Sequence, residues 1–233
     1  MFIPLLHGGL TRSIAASNTA NATSTATTAA HTFSSQSIGD ADSSRIVVVA
    51  VGVGANGNNR TIASVTVGGA ALAKQVGCVG DNSGTENFRA EIWSAAIASG
   101  TTGDVVVTAS GTIGSSRGVA ISVFRFVGDV SATANATNSV DGDEDDDTTA
   151  AISLNTNTQK SGYVIAAAIA FDPPPASAAW TNLTELTDAA TGNVQHSVAS
   201  LAPTTDETPR TISVDFADGG YTQAACIAAW YPS

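Results

Sequence analysis

The chain has 233 residues, a formal net charge of −11 and a pI near 4.3. Only nine Lys and Arg are scattered through it, which argues against a nucleic-acid partner, since phosphate binding needs clustered cations. Hydrophobic residues make up 43% but aromatics only 6%, so the core is expected to rest on Ala and Val in closely packed sheets.

Met1 to Gly9 lacks a basic n-region and a long apolar core, and no segment reaches the length of a membrane span. A soluble protein without a cleavable signal and without a membrane partner is expected. Phe2-Ile3-Pro4-Leu5-Leu6 forms an apolar tip, and Ser13 to Ala30 is a Ser/Thr/Ala/Asn stretch with few large side chains to bury. Residues 1–30 therefore read as an N-terminal docking arm, with Phe2, Ile3, Pro4, Leu5 and Leu6 as candidate partner-binding residues. Packing of the tip on its own domain is the equal alternative.

From His31 onward the pattern is β throughout, in runs of Val, Ile, Thr and aromatics bounded by Gly, Asn, Asp, Ser and Pro. Strands are predicted near residues 32–38, 45–54, 63–67, 71–79, 87–97, 104–109 and 117–127, then 151–155, 163–171, 183–189, 194–201, 211–216 and 222–230. Ile212 to Phe216 alternates strictly, as a strand with one wet face does, whereas Ile46 to Val51 and Val164 to Ile169 are apolar on both faces. Turn residues at Asn56-Gly57-Asn58-Asn59, Gly68-Gly69, Asp81 to Gly84, Ser99 to Gly103 and Asp218-Gly219-Gly220 support the boundaries.

The strand order occurs twice. Thr27 to Phe33 is echoed by Thr148 to Leu154, Ile46 to Val51 by Tyr163 to Ala168, and Phe88 to Ile97 by Val194 to Leu201. Val105-Val106-Val107 is echoed by Ile212-Ser213-Val214, and Val119 to Phe126 by Ala224 to Tyr231. Such self-similarity is weighed before a fold is assigned. The expectation is an all-β, antiparallel, jelly-roll-like β-sandwich of roughly 10–13 strands as one domain over residues 31–233. Its pseudo-repeats would be 31–127 and 148–231, joined by an acidic linker at 131–147 whose only task is connection.

Candidate chemistry is sparse. The run Asp141 to Asp147 offers carboxylates that suit Ca²⁺, but Gly142 falls in the wrong place for a calcium loop, and a solvated acidic loop is the plainer reading. His7, His31 and His196 lack zinc-site spacing, and no nucleophile elbow, HExxH or phosphate-binding loop occurs. No catalytic residue, metal or cofactor is expected. Cys226 reads as a buried thiol within an apolar strand, with a bridge to Cys78 as the alternative. Among the large rings, Trp93 and Trp230 read as core, and Trp180 is the one candidate for an exposed sugar-stacking platform.

Several strings carry a resemblance: Arg45-Ile46-Val47-Val48-Val49-Ala50-Val51, Ile62 to Leu72, Ala90-Glu91-Ile92-Trp93, Ser99-Gly100 with Asp104 to Ser110, and Gly162 to Ala167. Together they resemble a family of tailed-phage and prophage virion proteins over roughly Ser44 to Tyr231. The resemblance implies a non-enzymatic β-sandwich structural protein on the exterior of a phage or gene-transfer-agent particle, assembled in the host cytoplasm. A head decoration or vertex head-spike base is the implied position, with capsid or other virion proteins as partners and a homo-oligomeric state. The other reading is a tail-fibre or carbohydrate-binding module in which Trp180 contacts host glycans.

Overall fold

The structure, a computed structural model, describes residues 12–56, 60–82, 86–114, 117–141, 151–171, 177–216 and 223–233. Among these residues every regular element is a β-strand, and every strand pair is antiparallel. The first half runs β1 (Ala15–Ser24), β2 (Ala30–Ser37), β3 (Ile46–Asn56), β4 (Ile62–Val67), β5 (Ala70–Ala71), β6 (Ala73–Asn82), β7 (Glu86–Ala96), β8 (Thr102–Ala109) and β9 (Val119–Val127). The second runs β10 (Ala136–Val140), β11 (Ile152–Thr158), β12 (Tyr163–Phe171), β13 (Ala178–Thr181), β14 (Thr184–Thr191), β15 (Val194–Leu201), β16 (Glu207–Phe216) and β17 (Gln223–Trp230).

The two halves have the same topology. The first contains a sheet ordered β1-β9-β3-β7-β6 and a smaller one ordered β2-β8-β4-β5; the second contains β10-β17-β12-β15-β14 and β11-β16-β13. Strand for strand these correspond, apart from the two-residue β5. Each half is thus a sandwich, and the larger sheets of the two sandwiches lie face to face.

Side-chain alternation builds three apolar layers between four sheets. On β3, Ile46, Val48 and Ala50 face the other half, meeting Ile165, Ala167, Ile169, Val198 and Cys226, while Val47, Val49 and Val51 face β2, β4 and β8 through Phe33, Val65 and Val107. On β12, Val164, Ala166 and Ala168 turn the other way, onto Leu154, Ile212 and Val214 of the second outer sheet. Strands apolar on both faces are therefore those of the two inner sheets, and strictly alternating β16 belongs to an outer sheet with a wet side.

Three sequence expectations change. The stretch Ser13 to Ala30 is not a free arm: β1 pairs with β9 from Ala15↔Val127 to Ser24↔Val119, completing the first inner sheet. Its small side chains conceal a strand because an edge strand is held by backbone pairing more than by burial. The linker 131–147 likewise contains β10, which pairs with β17 from Ala136↔Ala229 to Val140↔Ala225, so the repeats run from β1 to β9 and from β10 to β17. The fold also has more strands than expected, because β1, β5, β10 and β13 carry too few large apolar residues to announce themselves, and its four sheets replace the two of a single sandwich.

Candidate functional site

The strings that carry the resemblance are occupied with structural work. Arg45, at the start of β3, is 1% exposed. Its Nε–H donates to the Ile97 carbonyl at 2.6 Å, its Nη1 to the carbonyls of Gly39 (2.8 Å), Asp40 (3.0 Å) and Gly100 (2.8 Å), and its Nη2 to that of Ser99 (2.6 Å). One planar guanidinium thus ties loop 38–40 to loop 97–100, an arrangement its fork of five donors suits. Burial lowers its pKa from the ordinary arginine value.

Glu91 and Trp93 form a second fixed group. Glu91 Oε2 accepts the Trp93 indole N–H at 2.9 Å, and Oε1 accepts the Lys74 ammonium at 3.2 Å. Burial raises the Glu91 pKa even with Lys74 and Trp93 opposing it. Both residues lie on the outward face of β7, where Val49 and Val51 are their neighbours on β3. Trp93 belongs to the apolar core between the two sheets of the first half.

Among the described residues, Ser24 and His31 are in contact. His31 Nδ1 lies 3.0 Å from Ser24 Oγ, and His31 Nε2 lies 3.1 Å from the Thr28 carbonyl. Since a carbonyl only accepts, Nε2 carries the proton and Ser24 donates to Nδ1. His31 is 1% exposed and burial lowers its pKa. The trio clamps the turn between β1 and β2 and has no carboxylate to orient the ring as a catalytic base requires.

His196 and the two cysteines lie between the inner sheets. His196 is fully buried, neither ring nitrogen has a partner, and burial lowers its pKa to about 4. Its ring lies against the backbone of Gly52, where an added Cβ would fall 2.4 Å from Cδ2. Cys78 and Cys226 are free thiols, both buried, and both reach the Ala90 carbonyl, at 3.5 and 3.4 Å. His7 is outside the described residues, and His31 is in the first outer sheet, so the two described histidines do not converge. Among the described residues no group of three His, Cys, Asp or Glu is placed to hold a metal.

Trp180 sits on β13 as a half-buried ring packed against the second outer core, and its Nε1–H donates to Ser197 Oγ at 2.8 Å. Of the acidic run, only Asp141 is described; its Oδ1 accepts the Val79 N–H at 2.9 Å, and residues 142–147 lie outside the described residues. Phe2 to Leu6 also lie outside them.

The chain that follows Phe2 to Leu6 joins the body at a distinctive end. The Arg12 guanidinium pairs with Asp129 and donates to the Ser233 carbonyl, and Ile14 N donates to the Ser161 carbonyl at 3.0 Å. Ser233 N donates to the Asp129 carbonyl, and Val130 bridges to Pro232. The start of β1, the connection between halves and the last residues of the sequence therefore meet beside the loops that Arg45 holds. Elsewhere, Leu186 is the one large hydrophobic residue exposed among the described residues, so the body shows no extended apolar patch.

No family model matches the chain, and no curated protein or solved structure is similar to it. The hydrogen bonds of Arg45 and of the Glu91–Trp93 pair carry no sequence signal of their own. Each depends on groups that only the fold brings together.

Proposed function

We propose that the protein is a non-enzymatic structural component on the exterior of a tailed-phage or phage-like particle, a head decoration or vertex head-spike base. The observation that carries this reading is how the polar residues within the resembling strings are used. Arg45, Glu91 and Trp93 are buried and turned to holding loops and strands. A stack of four sheets with polar outer faces is a rigid body suited to repeated placement on a symmetric shell.

Docking falls to Phe2, Ile3, Pro4, Leu5 and Leu6, since the described body has no apolar patch of its own to present. They connect through Arg12 to the end where the connection between halves and the last residues meet. A homo-oligomer docked at that end onto capsid or other virion proteins would leave the opposite loops facing outward.

A map of the intact particle, with the copy number of this chain measured alongside, tests the proposal. Density at fivefold or quasi-sixfold positions on the head, with residues 2–6 against a neighbouring protein, is the expected result. Density on tail fibres alone, with Trp180 at a glycan contact, would replace it with the receptor-binding reading. Hydrolysis of a sugar polymer by the purified protein would end it.

A further inference from the structure

We propose that Cys78 and Cys226 are a peroxide-sensitive pair that closes into a disulfide joining the two halves of the molecule. The two thiols come from different halves, one on β6 and one on β17, and meet at the layer where the inner sheets face each other. Both reach the same acceptor, the Ala90 carbonyl, at 3.5 and 3.4 Å, so the two thiols converge on one atom from different sheets. The strand neighbours are small: Ala90 stands opposite Cys78, and Ala167 opposite Cys226. Closure into a disulfide requires Cα atoms within about 7 Å and converging Cβ vectors.

The pair has no copy at the equivalent strand positions of the two halves. Strand registers make Ala189 the counterpart of Cys78, because these residues stand opposite His196 and Ala90 respectively. Ser122 is the counterpart of Cys226, opposite Ala50 where Cys226 stands opposite Ala167. The equivalent strand positions thus hold an alanine and a serine and carry no thiol. A requirement of the repeated architecture would have placed cysteines at both.

Access favours Cys78 as the first residue oxidised. Strand β6 is the edge of its sheet, paired with β7 alone. Along its other side the described contacts with the connection between halves include single bonds from Val79 N to Asp141 and from Ala134 N to the Gln75 side chain. Edge strands held in this way open locally more readily than central ones. A small hydroperoxide admitted by such opening reacts with Cys78: the sulfur takes one oxygen, the O–O bond breaks, and water leaves with the thiol proton. The Cys226 sulfur then attacks the Cys78 sulfenic sulfur, forming the S–S bond as the S–O bond breaks, and its proton leaves with the oxygen as a second water. Two thiols and one hydrogen peroxide become one disulfide and two waters. Burial holds the Cys226 thiol well above its ordinary pKa, which makes the closure slow and dependent on opening.

The test treats the full chain with millimolar hydrogen peroxide and follows intact mass, non-reducing electrophoresis and peptide mapping. The expected result is loss of two hydrogens, a faster-migrating monomer, a peptide linking Cys78 to Cys226, and a thermal midpoint raised by about 5–15 °C that reductant reverses. In Cys226→Ser the reaction is expected to stop at a Cys78 sulfenic acid that dimedone captures. Sulfinic acid on Cys78 without a linked peptide, a disulfide between two chains, or an unchanged mass after the β6 amides have exchanged with solvent would each overturn the proposal.

Discussion

The two halves share every strand but β5, yet they hold their loops differently, and the difference separates what the topology needs from what each sequence adds. In the first half, Arg45 binds five backbone carbonyls at hydrogen-bonding distances of 3.0 Å or less. Its counterpart in the second half is Gly162, since Ile46 and Tyr163 open equivalent strands, β3 and β12. There the backbone itself closes: an added Cβ at Gly162 would lie 2.5 Å from the Trp230 carbonyl and 2.9 Å from that of Gln159. One half bridges the gap with a cation and the other leaves no gap.

The largest effect is expected from breaking the first arrangement. Arg45→Ala strips a charged donor from five carbonyls in a closed site and is expected to cost about 4 kcal/mol, read by chemical denaturation. Arg45→Lys should recover little, because a single ammonium cannot span both loops. A cost under about 1 kcal/mol would mean that water replaces the guanidinium and the loops hold without it. On the other side, Gly162→Ala is expected to cost about 2 kcal/mol through its clash with two carbonyls.

The layer between the halves sharpens the comparison through His196. A histidine at about 4 when folded and near 6.5 when unfolded takes up its proton first in the unfolded chain. Its contribution is therefore fully present above pH 6.5 and is lost as pH falls toward 4, by about 3 kcal/mol. Denaturation midpoints at several pH values across that window, compared with those of His196→Gln, check this; equal slopes in the two proteins would remove His196 as the cause. The same layer shows why the halves fit as a complementary pair. His196 lies over Gly52, and their pseudo-equivalents are Ala90 and Ile169, so the large and small members have exchanged sides. Gly52→Ala is expected to cost about 2 kcal/mol, and a double-mutant cycle with His196→Ala should recover most of it.

This layer also marks the limit of what the sequence made legible. Doubly apolar runs such as Ile46 to Val51 and Tyr163 to Ala168 announced buried strands, and their repetition announced two halves, because periodicity is a local property. Strands β1 and β10 leave little trace in the sequence since Ala, Ser, Thr and Asn on an edge bury little, and their partners β9 and β17 are distant in the chain, as Ala15↔Val127 and Ala136↔Ala229 show. Arg45 stands within a resembling string, yet its role as a hub is not legible there, because its acceptors are backbone carbonyls, and any sequence supplies those. The meeting of Cys78 with Cys226 and of Gly52 with His196 arises from the stacking of the halves, which strand patterns do not encode.

The smallest expected effect bears on the chain before β1. The Arg12–Asp129 pair is more than half exposed on both sides, and an exposed pair of this kind contributes little and is screened by salt. Arg12→Ala is expected to change stability by less than about 0.5 kcal/mol, and the change should vanish in molar salt. In that case the preceding Phe2 to Leu6 are free to serve a neighbour without weakening their own body. Removal of residues 1–11 supplies the complementary reading: stability unchanged while particle binding is lost fits a docking segment. A loss of several kcal/mol in the isolated protein would instead mean that the apolar tip packs on its own domain, and docking would have to be sought on the polar faces of the outer sheets.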